Sequence, residues 1–365
     1  MFFITTTERK IVPEIPNVLP AYRPQPDGVA WPTTSWPTGP AIPAVDAVVS
    51  EAFDLDELAT TNAVVVIHGG RVIAERYFGA KEYFDRPAEP IDETSPLISW
   101  SMAKSMTHFL VGTLVDQGRL DPDARANVPE WADPSDPRHE IRLRDLLAMR
   151  DGLDYVEDYV DDGVSHVIDM LFGAGKDDVA GYTAARPLQH VPDTVFNYSS
   201  GTTNIISRIV AEEVGYGADF DAYFHRSLLD PVGMTSAYAT YDATGVFVGS
   251  SYVHATARDF AKFGLLYLRG GEWDGHRLVS QSWTDTAQVP LSADEEAGTF
   301  YSWQWWVTGD EFGTYWASGY DGQMISVVPA LDAVLVRLGR TGADHYADLR
   351  AWRHRVLTAL AENLA

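Results

Sequence analysis

The sequence predicts an α/β (α+β) protein: an antiparallel sheet built from both ends of the chain and flanked by helices, with an inserted, mostly helical lobe. Three observations predict it. Ala63-Val64-Val65-Val66-Ile67 and Val72-Ile73-Ala74-Glu75-Arg76-Tyr77 are β-rich runs on either side of a His68-Gly69-Gly70-Arg71 turn, which is a hairpin signal. Residues 301–307, 314–317, 323–328 and 333–338 form four further β-rich runs, separated by Gly, Asp and Pro. Between these sets, from Ser101 to about Met234, apolar residues recur at helical spacing instead.

With 365 residues, 45% hydrophobic and 22% charged, the chain can bury one large core or two joined layers. A net charge of −25 without any block of Lys or Arg argues against nucleic acid or an anionic membrane surface as a partner. The absence of cysteine excludes disulfides and thiol nucleophiles. The histidines form no His-x-x-x-His or Glu-flanked pair, so neither a metal nor another cofactor is expected. A Gly-x-Ser-x-Gly elbow and glycine-rich phosphate loops are also missing. Met1-Phe2-Phe3-Ile4 is too short for a signal h-region and no 18-residue apolar run follows, so a cytoplasmic location is expected.

Taken in order, residues 1–45 hold Pro13, Pro16, Pro20, Pro24, Pro26, Pro32, Pro37, Pro40 and Pro43, with Trp31 and Trp36 among them. So many missing donors rule out a helix or central strand and leave an extended arm on the body, or a disordered leader. Residues 46–365 then form one domain, with its sheet part in 46–100 and 240–365 and its mostly helical part in 101–239. A short amphipathic helix is expected at 46–58 and a longer one at 102–118, closed by Gly118. Arg144 to Met149 is a helix running into Asp151-Gly152. The acidic, aromatic stretch Tyr155-Val156-Glu157-Asp158-Tyr159 through Asp161-Asp162 reads either as an exposed loop or as a rim over a pocket suited to a cationic or amide-bearing substrate. Helices follow at 164–172 and 202–214, the second entered through Phe196-Asn197-Tyr198-Ser199-Ser200. Thr256 to Leu268 is an amphipathic helix stopped by Gly270-Gly271, and a helix from about His345 to Leu364 closes the chain.

The chemistry centres on Ser101-Met102-Ala103-Lys104, which sets a hydroxyl and an amine three residues apart on one helix face. A serine is a poor nucleophile at neutral pH without a base in reach, and lysine serves as that base only if burial or neighbours lower its pKa. Unpaired N–H groups of a first helical turn would suit an oxyanion. With only five lysines in the chain, this spacing arises by chance about 0.3 times. Taken alone, it reads equally as a helix-start serine followed by a solvated lysine. Tyr198 alone reads more readily as a packed ring with a satisfied hydroxyl.

The order Ser101-Met102-Ala103-Lys104, Tyr198-Ser199-Ser200 and Ala317-Ser318-Gly319-Tyr320-Asp321-Gly322-Gln323 resembles the serine β-lactamase and penicillin-binding-protein superfamily, in its class C and esterase-like branch, from about residue 46 onward. Within that branch the Tyr-Ser-Ser motif, the helix from Thr256 and Gly-x-x-Gly-Gln before a strand look like the 6-aminohexanoate-dimer hydrolases and related esterases. The resemblance implies a β-lactamase-like fold, with Ser101 as nucleophile, Lys104 as proton partner and Tyr198 as the group that protonates the leaving amine or alcohol. It places the oxyanion at the N–H groups of Ser101 and of a residue on the Ser318-Gly319-Tyr320 strand, namely Tyr320. Two positions depart from the pattern: Ala317 stands where the third motif carries lysine, and Ser200 where many members have asparagine. By distance from Ser101, the resemblance makes Tyr159 and Asp169 candidates for binding an amide substrate, with Ser200 the third substrate-binding candidate, although Asp169 reads equally as a solvated helix residue. A cleft is expected around Tyr159, Asp169 and Trp305.

The reading that follows is a serine hydrolase forming an acyl-enzyme on Ser101 with a small linear amide or ester. The alternatives are a carboxylesterase without amidase activity, a β-lactamase or D-peptidase, disfavoured by Ala317, and a catalytically silent binding protein. Neither nucleic acid nor membrane is expected as a partner, and a homodimer is compatible with a sequence that does not fix the oligomeric state.

Overall fold

A computed structural model describes residues 19–82, 85, 87–159, 163–294 and 298–364. Pro13, Pro16 and Asp161-Asp162 therefore lie outside the described residues. The uninterrupted apolar run at 63–67 has a simple cause: its strand is covered on both faces. Strand β1 (Thr60–His68) turns through Gly69 and Gly70, at φ 55° and 72°, into β2 (Arg71–Tyr77). The C-terminal part supplies β3 (Ser292–Asp294), β4 (Thr299–Tyr301), β5 (Trp306–Val307), β6 (Tyr315–Gly319), β7 (Gln323–Val328) and β8 (Ala333–Arg340). These form an eight-stranded antiparallel sheet in the order β3-β4-β5-β6-β7-β8-β1-β2, so the two ends of the chain meet where β8 pairs with β1.

Successive residues of β1 serve opposite layers. Ala63, Val65 and Ile67, with Ile325, Val327, Val334 and Val336, pack against α2 (Ala103–Asp116) and α6 (Ala257–Leu268). Gly264 brings α6 close, since a Cβ there would stand 2.6 Å from a Val334 methyl and 2.8 Å from an Ile325 methyl. Val64, Val66, Met324 and Leu335 face the other way, against α1 (Pro43–Glu51) and α7 (Tyr346–Glu362), through Val45, Val49, Leu349, Trp352 and Val356. Each such buried side chain contributes about 1.5–3 kcal/mol. The inserted lobe includes α3 (Leu143–Leu147), α4 (His166–Phe172) and α5 (Ser200–Val214). Ser199 caps α5 by accepting from Thr202 N at 3.0 Å.

Residues 19–42 lie along the body. The Trp31 ring sits 5.0 Å from that of Trp273, Trp36 Nε1 donates to the Arg258 carbonyl at 3.1 Å, and Thr38 forms a parallel bridge with Val72. Two expected elements differ. The helix expected over 46–58 starts at Pro43, where a first-turn proline loses no hydrogen bond, and ends at Glu51, leaving a separate turn at Asp56–Leu58. The run 301–307 is not one strand but a hairpin: Gln304 adopts φ 58° and Ser302 N bonds to the Trp305 carbonyl at 2.8 Å. This reversal sends Trp305 into the core and leaves Trp306 on β5.

Candidate active site

The chain enters α2 through a tight 3-10 turn, Trp100–Met102, rather than directly at Ser101. Trp100 is held at φ 44°, an unusual conformation for a bulky residue, and it swings the chain so that the next side chain faces a hollow. Ser101 is 8% exposed there. One turn later Lys104 is buried, and its Nζ lies 2.9 Å from Ser101 Oγ, 2.9 Å from Ser200 Oγ and 3.1 Å from the Ser250 carbonyl oxygen. A solvated surface lysine is thereby excluded. Burial pulls the Lys104 amine down to about 8, against the opposing charge of Glu157.

Tyr198 arrives from the loop before α5. Its side chain lines the same hollow as Ser101, and Lys104 Nζ lies 4.9 Å from the ring centre. Burial of the hydroxyl, with the nearby Glu157 carboxylate, pushes the phenol far above its ordinary range, so it stays protonated. Tyr198, nearly a hundred positions from Ser101 and Lys104 in the chain, thus comes beside them because α2 and α5 pack side by side.

Ser318, Gly319 and Tyr320 bring the end of β6 to the same place. A Cβ on Gly319 would stand 2.3 Å from the Ser99 carbonyl oxygen, so glycine allows the strand to lie directly against the turn carrying Ser101. Tyr320 meets Trp100 edge-on at 5.9 Å. The turn after Gly319 is braced from behind: Gln323 Nε2 donates to the Tyr320 carbonyl at 3.0 Å, and buried Arg337 donates to the Asp321 and Gly322 carbonyls at 3.1 Å each. Ala317, where the resemblance expects lysine, is 1% exposed and faces the α2 and α6 layer.

These groups border a cavity of about 630 Å³ lined by Ser101, Tyr198, Ser318, Gly319 and Tyr320 together with Glu157, Asp158, Tyr159, Trp306, Ala343 and Tyr346. Tyr159 is a wall residue, its ring 4.6 Å from that of Tyr320. Two expected members are elsewhere. Asp169 is not among the lining residues; its carboxylate accepts from Ala174 N at 3.0 Å, closing the end of α4. Trp305 is fully buried and stacks on Phe263, and its neighbour Trp306 lines the cavity instead. Ser200 contacts Lys104 rather than projecting as a free substrate donor.

Sequence patterns gave no pointer to Glu157 beyond its place in an acidic, aromatic loop. Its Oε1 accepts from Ser200 Oγ at 2.6 Å and from the Tyr159 hydroxyl at 2.8 Å, while Oε2 accepts from Ser200 N at 2.7 Å. Ser250 is likewise held from α5, its N–H donating to Asn204 Oδ1 at 3.1 Å. Among the described residues no His, Cys, Asp or Glu cluster could hold a metal, and no helix is long and apolar enough to cross a membrane. A hydroxyl beside a buried, readily deprotonated amine and a neutral phenol can perform acyl transfer.

Residues 57–359 match the Beta-lactamase family. The 6-aminohexanoate-dimer hydrolase of Paenarthrobacter ureafaciens is 31% identical over 329 residues, covering 83% of this chain and 79% of that protein. A Bacillus anthracis protein provisionally assigned as a 6-aminohexanoate-dimer hydrolase superposes with TM-score 0.76 at 22% identity, over 94% of this chain and 90% of that one. A family VIII carboxylesterase superposes with TM-score 0.68 at 15% identity, over 88% and 98%. The two structural matches show a shared fold; with the family match and the 31% identical relative, the chain belongs to the Beta-lactamase family and is a serine hydrolase of that fold.

Proposed function

We propose that this hydrolase cleaves a small linear amide or ester through an acyl-enzyme on Ser101. The observation that carries the proposal is the position of the buried Lys104 amine, in contact with Ser101 Oγ and beside a protonated Tyr198. Neutral Lys104 takes the Ser101 proton as Oγ bonds to the substrate carbonyl carbon, and the carbonyl electron pair moves onto oxygen. The N–H groups of Ser101 and Tyr320 hold that oxyanion. As the intermediate collapses, the bond to the leaving nitrogen or oxygen breaks and the Tyr198 hydroxyl protonates it. Water then attacks the acyl-enzyme, giving a proton to the Tyr198 phenolate, while the Lys104 ammonium returns its proton to Ser101 Oγ. Both groups end as they began, and the acid is released.

The substrate class rests on the cavity and on the named relative. Among the described residues no lysine or arginine lines the wall, and Ala317 supplies no cation, which favours neutral or cationic acyl groups over the carboxylate of a β-lactam. The carboxylates of Glu157 and Asp158 and the rings of Tyr159, Tyr320 and Trp306 suit an elongated chain bearing an amide or ammonium. The deciding experiment is turnover of a 6-aminohexanoate dimer beside a p-nitrophenyl ester. Activity on the ester alone would remove amides from the proposal, and absence of both would remove the proposal itself.

Two expected outcomes follow from the geometry. Because Lys104 must be neutral to act, kcat/KM should rise with pH and level off above about 8, losing about tenfold per pH unit well below that. A flat profile between pH 6 and 9 would contradict a lysine base. Gly319→Ala should lower kcat/KM at least ~100-fold, because the new methyl group drives β6 away from the Ser99–Ser101 turn and opens the oxyanion site. Kinetics of the folded variant would measure this, and an unchanged rate would place the oxyanion elsewhere.

A further inference from the structure

We propose that Glu157 is a positioning residue: it fixes the direction of every hydrogen bond around Lys104 and so leaves the amine's single lone pair facing Ser101. This rests on the acyl-transfer reading above. An ionised carboxylate only accepts hydrogen bonds. The contact of 2.6 Å between Ser200 Oγ and Glu157 Oε1 therefore uses the one proton of the Ser200 hydroxyl. That hydroxyl has nothing left to donate, so the contact of 2.9 Å with Lys104 is an N–H of the amine donating to Ser200. The Ser250 carbonyl, at 3.1 Å, is also an acceptor only and takes the second N–H. A neutral amine has two N–H groups and one lone pair. Its third contact, with Ser101 Oγ at 2.9 Å, must then be the lone pair accepting the serine proton.

With its proton committed to Lys104, Ser101 Oγ has only lone pairs left to turn toward the substrate carbonyl and the Tyr198 side of the hollow. One chain results: Ser101 donates to Lys104, Lys104 to Ser200, and Ser200 to Glu157. Without the carboxylate, the Ser200 hydroxyl could turn and donate to the Lys104 lone pair, competing with the nucleophile. Glu157 is itself anchored by Ser200 N on α5 and by the Tyr159 hydroxyl. Among the described residues, the titratable and charged groups facing this cluster are Tyr198, Glu157 and Tyr159, with Asp158, Tyr320 and Tyr346 on the same cavity wall.

Glu157 thus acts in two separable ways, by orienting Ser200 and by its charge, and kcat/KM profiles on a p-nitrophenyl ester distinguish them. In Glu157→Ala the high-pH plateau should fall ~10- to 100-fold. In a Ser200→Ala background the same change should cost less than ~3-fold, because nothing is left to orient. The charge effect survives in both backgrounds: removing a carboxylate that favours the ammonium moves the acid limb to lower pH. Glu157→Gln should therefore raise the ratio of rates at pH 7 and pH 9 at least ~3-fold over wild type. Additive plateau losses, or an acid limb that stays or moves upward, would overturn the proposal. If the alanine variant does not fold, the same pair of backgrounds is compared with Glu157→Leu, whose plateau loss should likewise shrink below ~3-fold once Ser200 is alanine. Labelling of wild-type Ser101 by a fluorophosphonate is measured first, since its failure would remove the acyl-transfer reading and not this positioning role alone.

Discussion

Ser101→Ala is expected to abolish turnover, lowering kcat by at least ~10⁴, and to eliminate covalent labelling by a fluorophosphonate. The size of the effect follows from the isolation of the nucleophile. Among the residues lining the cavity the other hydroxyls are Ser318 and the phenols of Tyr159, Tyr198, Tyr320 and Tyr346, and none of these is held against the Lys104 amine in place of Ser101. Oxyanion donors and substrate contacts would survive the change, so a residual rate above that of water is compatible with it. Stability should move by less than about 1 kcal/mol, since Lys104 keeps acceptors in Ser200 and Ser250 and only one oxygen is lost. Mass spectrometry of the labelled peptide and steady-state kinetics on the same preparation would check both halves. Undiminished labelling of the variant would place the nucleophile elsewhere.

The extent to which the site was legible in the sequence follows from what periodicity encodes. The β1-β2 hairpin, α2, α5, α6 and α7 were readable because apolar spacing and Gly signals are local consequences of burying one face or two. Ser101, Lys104 and Tyr198 could be picked out together because each sits at the entry to a helix, where a motif has a structural context. Glu157 had no such context: it lies on a loop, and its role depends on Ser200, which becomes its neighbour only after folding. Asp169 illustrates the opposite error. Counting positions from Ser101 places a carboxylate in the right part of the chain but not on the right surface, and here the end of α4 uses it for its own backbone. Trp305 and Trp306 were indistinguishable by composition. A positive φ at Gln304, without the Gly or Asn that signals such a turn, decides which ring meets the cavity and which the core.

Lys104→Met should lower kcat/KM at least ~10³-fold while making the protein more stable at neutral pH, a combination expected where a catalytic group is held in unfavourable surroundings. The sign follows from proton linkage. Burial lowers the amine from its ordinary value of 10.5 to about 8, so between those values the unfolded chain binds more protons than the folded one. Wild-type stability therefore gains from this residue as pH rises from about 8 toward 10.5, and the full cost of the buried charge is present below about 8. That cost is about 3 kcal/mol. Methionine removes it, but leaves the Ser250 carbonyl without this donor at a penalty of about 1 kcal/mol. The variant should then exceed wild type by about 1–2 kcal/mol at pH 7 and lose that advantage near pH 10, where the wild-type amine is neutral in the folded state. Contributions from the buried tyrosines are common to both proteins and cancel in the difference. Urea unfolding of the pair at pH 7 and pH 10 measures it. A difference that is constant with pH, or that grows toward pH 10, would show that Lys104 is not poised near neutrality, and the lone pair assigned to Ser101 would then be occupied by a proton at the pH where the enzyme works.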